Sequence, residues 1–142
     1  MTHNSAQDRP IIAAGVVLWH EAKVLLIRRG QDPGKGEWSI PGGRQKTGET
    51  VRACALRELR EETGLEAELI DLIDVVDARY QIEGRVYQLT LVDFAARLVG
   101  GALRSGDDAV EARWFSEDEL APLNLWSETL RVIRAARTMA GS

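Results

Sequence analysis

The stretch from Gly43 to Leu65 constrains this chain more than any other, because it writes a glycine-bearing loop and a helix into consecutive residues. Thr50 to Thr63 lacks glycine and proline and is rich in Ala, Leu, Arg and Glu, which favour helix, and Gly64 stands where a left-handed C-cap would fall. On that helix Glu58, Glu61 and Glu62 are spaced i, i+3 and i+4, so they share a face with Cβ atoms about 5–6 Å apart. Val51, Cys54 and Ala55 lie on the same side. The glutamates therefore extend an apolar stripe, and three crowded anions there are costly without a partner. A hard divalent cation, Mg2+ or Mn2+, is the partner that carboxylate oxygens suit. The competing reading is an exposed acidic helix end in which Arg57 and Glu61 form an ordinary i, i+4 pair.

Spacing decides between them. Gly43, five residues, Glu49, seven residues and then Arg57-Glu58-Leu59-Arg60-Glu61-Glu62-Thr63-Gly64-Leu65 satisfy seven fixed identities and two aliphatic positions. At average residue frequencies that is a coincidence on the order of 1 in 10 million. The segment resembles the signature of the Nudix hydrolase family without a gap or substitution. The resemblance implies an α/β fold, a Nudix-type α/β/α sandwich with a mixed β-sheet between helices. It further implies Mg2+ (or Mn2+) bound by Glu58, Glu62, Glu61 and a backbone carbonyl of Gly42 or Gly43, with Glu49 and Arg57 paired to fix the loop against the helix. A guanidinium gives a carboxylate a rigid two-pronged partner that lysine cannot reproduce, and losing either member would misplace the ligands.

The reaction implied is hydrolysis of a nucleoside diphosphate linked to another group, with a carboxylate taking the proton of the attacking water. Glu61 within the signature and Glu111 are both candidates for that base. Glu111 follows the loop-like run Gly106-Asp107-Asp108-Ala109-Val110 and precedes Ala112-Arg113-Trp114-Phe115, while Asp107 and Asp108 are weaker options.

Outside the signature, Ile11 to Trp19 and Lys23 to Arg29 read as a β-hairpin joined by His20-Glu21-Ala22. Gly30 to Glu37 reads as a loop, and Trp38-Ser39-Ile40 as a short extended piece stopped by Pro41-Gly42-Gly43. The two glycines there allow positive φ or a close approach of backbone to ligand. Glu68 to Val76, Val86 to Leu98 and Ala112 to Phe115 read as strands, with turns at Gly84 and Gly100-Gly101. Ser116 to Leu120 reads as a serine-capped helical turn and Leu125 to Met139 as a terminal helix, able to pack on its own sheet or on a second subunit as a homodimer.

With 142 residues, 44% hydrophobic and 28% charged, the chain suits one domain spanning 1–142, with residues 1–9 a loose terminus. Cys54 is the only cysteine and the N-terminus lacks the apolar core of a secretory signal, so a cytoplasmic location and no membrane association are expected. Cys54 itself reads as a small core residue, and neither His3 nor His20 is assigned any catalysis. A net charge of -4 without a basic run argues against nucleic acid as the partner. It leaves room for a small nucleotide, whose charge a metal neutralises.

Substrate choice falls to residues outside the signature. Arg28, Arg29 and Arg44 are candidates to meet phosphate, Trp38 or Trp19 to stack on a base, and Tyr80 to contact substrate; Trp126 reads as a packing residue or dimer contact. The pattern from Asp74-Val75-Val76-Asp77 through Val92-Asp93-Phe94 to Trp114-Phe115 looks like bacterial proteins described as ADP-ribose pyrophosphatase-like. The first reading is thus a pyrophosphohydrolase of ADP-ribose or a related nucleotide sugar. A nucleoside triphosphate pyrophosphohydrolase with a sanitising role is the alternative, and a non-catalytic nucleotide-binding sensor is the alternative of another class. Removal of diphosphate from RNA ends is disfavoured by the acidic charge.

Overall fold

The computed structural model describes residues 9–32, 34–104 and 109–140. Strands β1 (Ile11–His20) and β2 (Lys23–Arg29) form the expected hairpin. Its turn is Glu21-Ala22, with φ of 51° and 66°, the twist-matched geometry of two-residue hairpins. Then come β3 (Trp38–Ser39), β4 (Gly42–Arg44), α1 (Val51–Thr63), β5 (Leu65–Ile82), β6 (Arg85–Gly101), β7 (Ala109–Ser116), two 3-10 turns (Glu117–Glu119 and Ala121–Leu123) and α2 (Ser127–Ala140).

The sheet runs β3-β2-β1-β6-β5, with β4 added to β1 and β7 to β2. Among the described residues only β1 and β6 pair in parallel, so the sheet is mixed as expected. Strand β1 is buried on both faces, which is why it reads as an unbroken apolar run rather than an alternating one. Its Ala14, Val16 and Leu18 meet Cys54, Ala55 and Leu59 of α1, whereas Val17 and Trp19 meet Val132, Ile133 and Ala136 of α2. The result is helix on sheet on helix. Leu59 and Ile133 are fully buried, and each such side chain contributes roughly 1.5–3 kcal/mol.

Helix α1 begins and ends by the rules its sequence suggests. Thr50 Oγ1 accepts from the Ala53 amide at 3.0 Å, and Gly64, at φ 76°, donates its N–H to Arg60 O. Helix α2 starts at Ser127, two residues later than expected, and packs on its own sheet. That packing corrects one expectation: Trp19 is 3% exposed and donates Nε1–H to Ile133 O at 2.8 Å, so its ring belongs to the core and does not stack on a base.

The β5–β6 hairpin is longer than the apolar runs that announced it. Asp71, Asp74 and Asp77 interrupt the apolar pattern of β5, an edge strand whose register shifts between Leu69 and Asp71 and again between Leu72 and Asp74. At these irregularities Asp71 and Asp74 each accept from the next backbone amide, at 2.8 and 2.7 Å. Such bulges protect an open sheet edge. Among the described residues no helix is long and apolar enough to cross a membrane.

Candidate active site

Strand β4 delivers the glycine pair to α1. A Cβ added at Gly43 would stand 2.5 Å from Glu58 Oε2, and one at Gly42 2.5 Å from Ala14 O. Neither glycine has positive φ, so it is close approach and not backbone freedom that requires them.

The ladder between β1 and β4 also sets which carbonyl faces outward. Val16 donates to Pro41 O and Gln45 to Ile12 O, both at 2.9 Å, and antiparallel pairs alternate between bonded and unbonded. Ala14 and Gly43 are therefore in phase with the bonded pairs, while Gly42, opposite Gly15, points its N–H and C=O away from β1. The Gly42 N–H indeed donates to Glu62 Oε1 at 2.8 Å.

Arg57 is the hub. Its Nε and Nη2 donate to Glu49 Oε2 and Oε1 at 2.6 and 3.0 Å, the two-pronged pairing its chemistry favours. Nη1 donates to Glu58 Oε2 at 2.9 Å and to Glu61 Oε1 at 3.0 Å, and Nη2 also reaches Arg44 O at 3.0 Å. The i, i+4 pair of the competing reading thus exists, but as one branch of a larger network. Arg57, with help from the Lys46 amide, holds the Glu49 carboxyl down at about 2. Gln45 ties the same loop by donating to Glu49 O at 2.6 Å.

Glu62 is buried, Glu58 nearly so, and Glu61 half-exposed with a side-chain exposure of 50%. Among the described residues, no three His, Cys, Asp or Glu side chains gather into a metal-ligating group. In this arrangement Glu58 engages Arg57 and Glu62 engages Gly42. The donor set nevertheless suits a hard cation: carboxylate oxygens from one helix face, an outward carbonyl, and a glycine at 43 whose missing side chain makes room for the Glu58 carboxyl against β4. Cys54 donates its thiol to Gly43 O at 3.4 Å and is pushed up to about 11 by burial and then by Glu49, so it is a protonated core thiol.

The remaining candidates form separate groups. Arg28 sits opposite Trp38 of β3 and Glu111 of β7, with Nη2 3.5 Å from Glu111 Oε1. Its Nε is buried and has no hydrogen-bond partner among the described residues. Glu111 lies within β7 and not in a loop before it, between Arg28 and Arg113, which is 3.6 Å from its Oε2. Trp38 packs edge-on against Phe115 with centroids 4.9 Å apart, and the Arg113 guanidinium stands 5.4 Å from its ring centre. Tyr80 pairs with Tyr87 across the hairpin; burial and the charge of Glu37 raise its hydroxyl, with Arg29 opposing. Arg44 is exposed and joins the α1 network through its carbonyl. His3, Asp107 and Asp108 lie outside the described residues.

Two residues stand out that the sequence reading passed over. One is Arg113. The other is Asp93, 5% exposed on β6, its carboxyl pushed up to about 7 by burial and by Asp74, with Arg131 opposing. An aspartate inside the apolar run Val86 to Leu98 was the available signal.

This geometry can be set beside known proteins. The ADP-ribose pyrophosphatase of Methanocaldococcus jannaschii is 36% identical over 114 residues, covering 80% of this chain and 66% of that protein. A putative 8-oxo-dGTP diphosphatase 2 of Mycobacterium tuberculosis is 33% identical over 135 residues, covering 93% and 92%. Several curated relatives are longer, and the match spans two-thirds or less of their length. Among solved structures, the MutT NUDIX hydrolase from Burkholderia pseudomallei superposes with a TM-score of 0.78 at 27% identity, over 89% of this chain and 98% of that one. The NUDIX domain model matches residues 9–136, and with the signature glutamates, the glycine pair and the sandwich all in register, the chain belongs to the Nudix hydrolase family.

Proposed function

We propose that the chain is a Mg2+- or Mn2+-dependent pyrophosphohydrolase that cleaves the diphosphate bond of ADP-ribose or a related nucleotide sugar. The observation that carries this reading is the Arg57 hub, which ties Glu49, Glu58, Glu61 and the Arg44 carbonyl to one guanidinium beside the Gly42–Glu62 contact. Glu58, Glu62 and the outward carbonyl of Gly42 would hold the cation, and Glu61 would stand next to them. When bound, the cation supplies positive charge to the diphosphate and its attacking water.

The chain's own residues do the rest. Arg57 keeps the loop and helix in register, so the carboxylates do not need to reorganise during the reaction. Glu61, the most exposed of the three helix glutamates, accepts the proton of the attacking water; Glu111, held between two arginines, acts as their counter-ion. The 36% identical relative named ADP-ribose pyrophosphatase supports the choice of substrate.

A second reading, a nucleoside triphosphate pyrophosphohydrolase, draws support from the mycobacterial relative, which matches along nearly its whole length. Incubation with ADP-ribose, other nucleotide sugars and nucleoside triphosphates in Mg2+ or Mn2+, with products separated by charge, distinguishes them. AMP plus ribose 5-phosphate is the expected outcome. Monophosphate plus pyrophosphate from triphosphates alone favours the second reading, and binding without any cleavage leaves a nucleotide sensor.

A further inference from the structure

The side of the sheet facing α2 is covered by the helix along Val17, Trp19, Val24 and Leu26. By strand alternation the same side continues to Gly15 on β1, to Arg28 on β2 and, two residues from the core Ala95, to Asp93 on β6. Gly15 and Asp93 are direct neighbours across the parallel β1–β6 pair. Because Gly15 has no side chain, the space above it is filled from both sides: a Cβ there would lie 2.7 Å from Asp93 Oδ1 and 2.9 Å from Ile40 Cδ1. Ile40 follows Trp38 by two residues and packs on the same cluster. Asp93 therefore stands beside the segment that carries Trp38.

Its environment is unusual. Asp93 is 5% exposed, and no hydrogen bond from a described residue reaches its carboxyl. The charged groups facing it are Asp74 of β5 and Arg131 of α2, which are committed to each other at 2.8 Å, and Arg131 is further tied to Glu128. Buried carboxyls without partners are rare in folded proteins and concentrate where a ligand completes them.

We propose that Asp93 is a specificity-determining residue of the substrate site, pairing through its carboxyl group with the hydrogen-bonding edge of an adenine base. The inference rests on the nucleotide reading given above. A neutral carboxyl offers an O–H donor beside a C=O acceptor. That pair complements adenine, which presents a ring nitrogen acceptor next to an amino donor, whereas the two adjacent donors of guanine call for an ionised carboxylate. Burial and the neighbouring Asp74 favour the neutral form, so the site selects adenine, and the preference fades as pH rises past about 7.

The test compares wild type, D93A and D93N with ADP-ribose and GDP-ribose, and measures AMP and GMP binding by calorimetry in the absence of turnover. D93A is expected to raise KM for ADP-ribose by about tenfold or more with kcat little changed, and to flatten the adenine-to-guanine ratio. D93N, whose amide keeps a donor and an acceptor, is expected to retain the adenine preference and to lose its pH dependence between pH 6 and 8. A folded D93A that binds AMP like wild type overturns the inference while leaving the hydrolase reading intact, as does a D93N protein that keeps the wild-type pH profile. Wild-type protein that binds neither AMP nor GMP and cleaves neither substrate overturns both.

Discussion

On the α1 side of the sheet, Glu49 receives two donors from Arg57 and a third from the Lys46 amide, and its carboxyl is held at about 2. On the α2 side, Asp93 receives none from a described residue, and its carboxyl rises to about 7. The two groups differ less in chemistry than in company. Where partners are built in, the carboxylate keeps its charge and fixes other groups in place; where they are missing, burial wins and the group gives up its charge. On the proposed reading, one side of the sheet breaks a bond and the other chooses what is brought to it.

The sharpest break of that contrast is expected at Glu61. Glu61→Gln removes the proposed base without disturbing the Glu49–Arg57 fork, so kcat should fall on the order of 100- to 10,000-fold with substrate affinity little altered. Glu111→Gln, across the sheet between Arg28 and Arg113, should leave kcat within about fivefold, the reach of an exposed ion pair. Steady-state rates at saturating Mg2+ check the ranking, and the reverse order would move the base to β7.

Stability against pH should differ in sign between the two groups. Glu49 falls from 4.5 to about 2, so its contribution is present above 4.5 and lost as pH drops through 2. Asp93 rises from 3.8 to about 7, so its contribution is complete below 3.8 and lost as pH climbs through 7. Denaturant titrations of wild type and Asp93→Asn at pH 4.5 and 8 should show the variant gaining, relative to wild type, on the order of 3 kcal/mol at the higher pH. Equal differences at both pH values would mean that Asp93 is ionised throughout.

How much of this the sequence disclosed follows from how local each cause is. Helix α1 and its Gly64 cap depend on residues a turn apart and could be read from the residues themselves, whereas the Glu49–Arg57 pair was expected from the family resemblance. The extent of β5 could not, because Asp77, Arg79 and Gln81 end the apolar run, and only their pairing with Thr90, Gln88 and Val86 of β6 carries the strand on to Ile82. Trp19 invited a stacking role, since nothing nearby in sequence reveals that Ile133 takes its N–H. Glu111 resembled a loop residue because pairing with Arg28 and Arg29 of β2, distant in sequence, is what extends β7 back past it to Ala109. Asp93 was hidden for the same reason: its alternation looks solvent-facing, and the missing side chain at Gly15 comes from a strand far away in the chain.

A conservative substitution tests whether the α1 side depends on charge or on shape. Arg57→Lys keeps the positive charge, yet a lysine ammonium cannot meet both oxygens of Glu49 while also reaching Glu58, Glu61 and the Arg44 carbonyl. If the fork sets the positions of Glu58 and Glu62, Mn2+ affinity measured by electron paramagnetic resonance should weaken by about 10- to 100-fold, the usual cost of losing support behind a ligand. Activity at saturating metal should then recover in part, because the ligands themselves remain. Unchanged affinity in a folded variant would mean that charge alone suffices, and the distinction between the two sides of the sheet would reduce to whether the nearby cation is free to pair or, like Arg131, committed to other carboxylates.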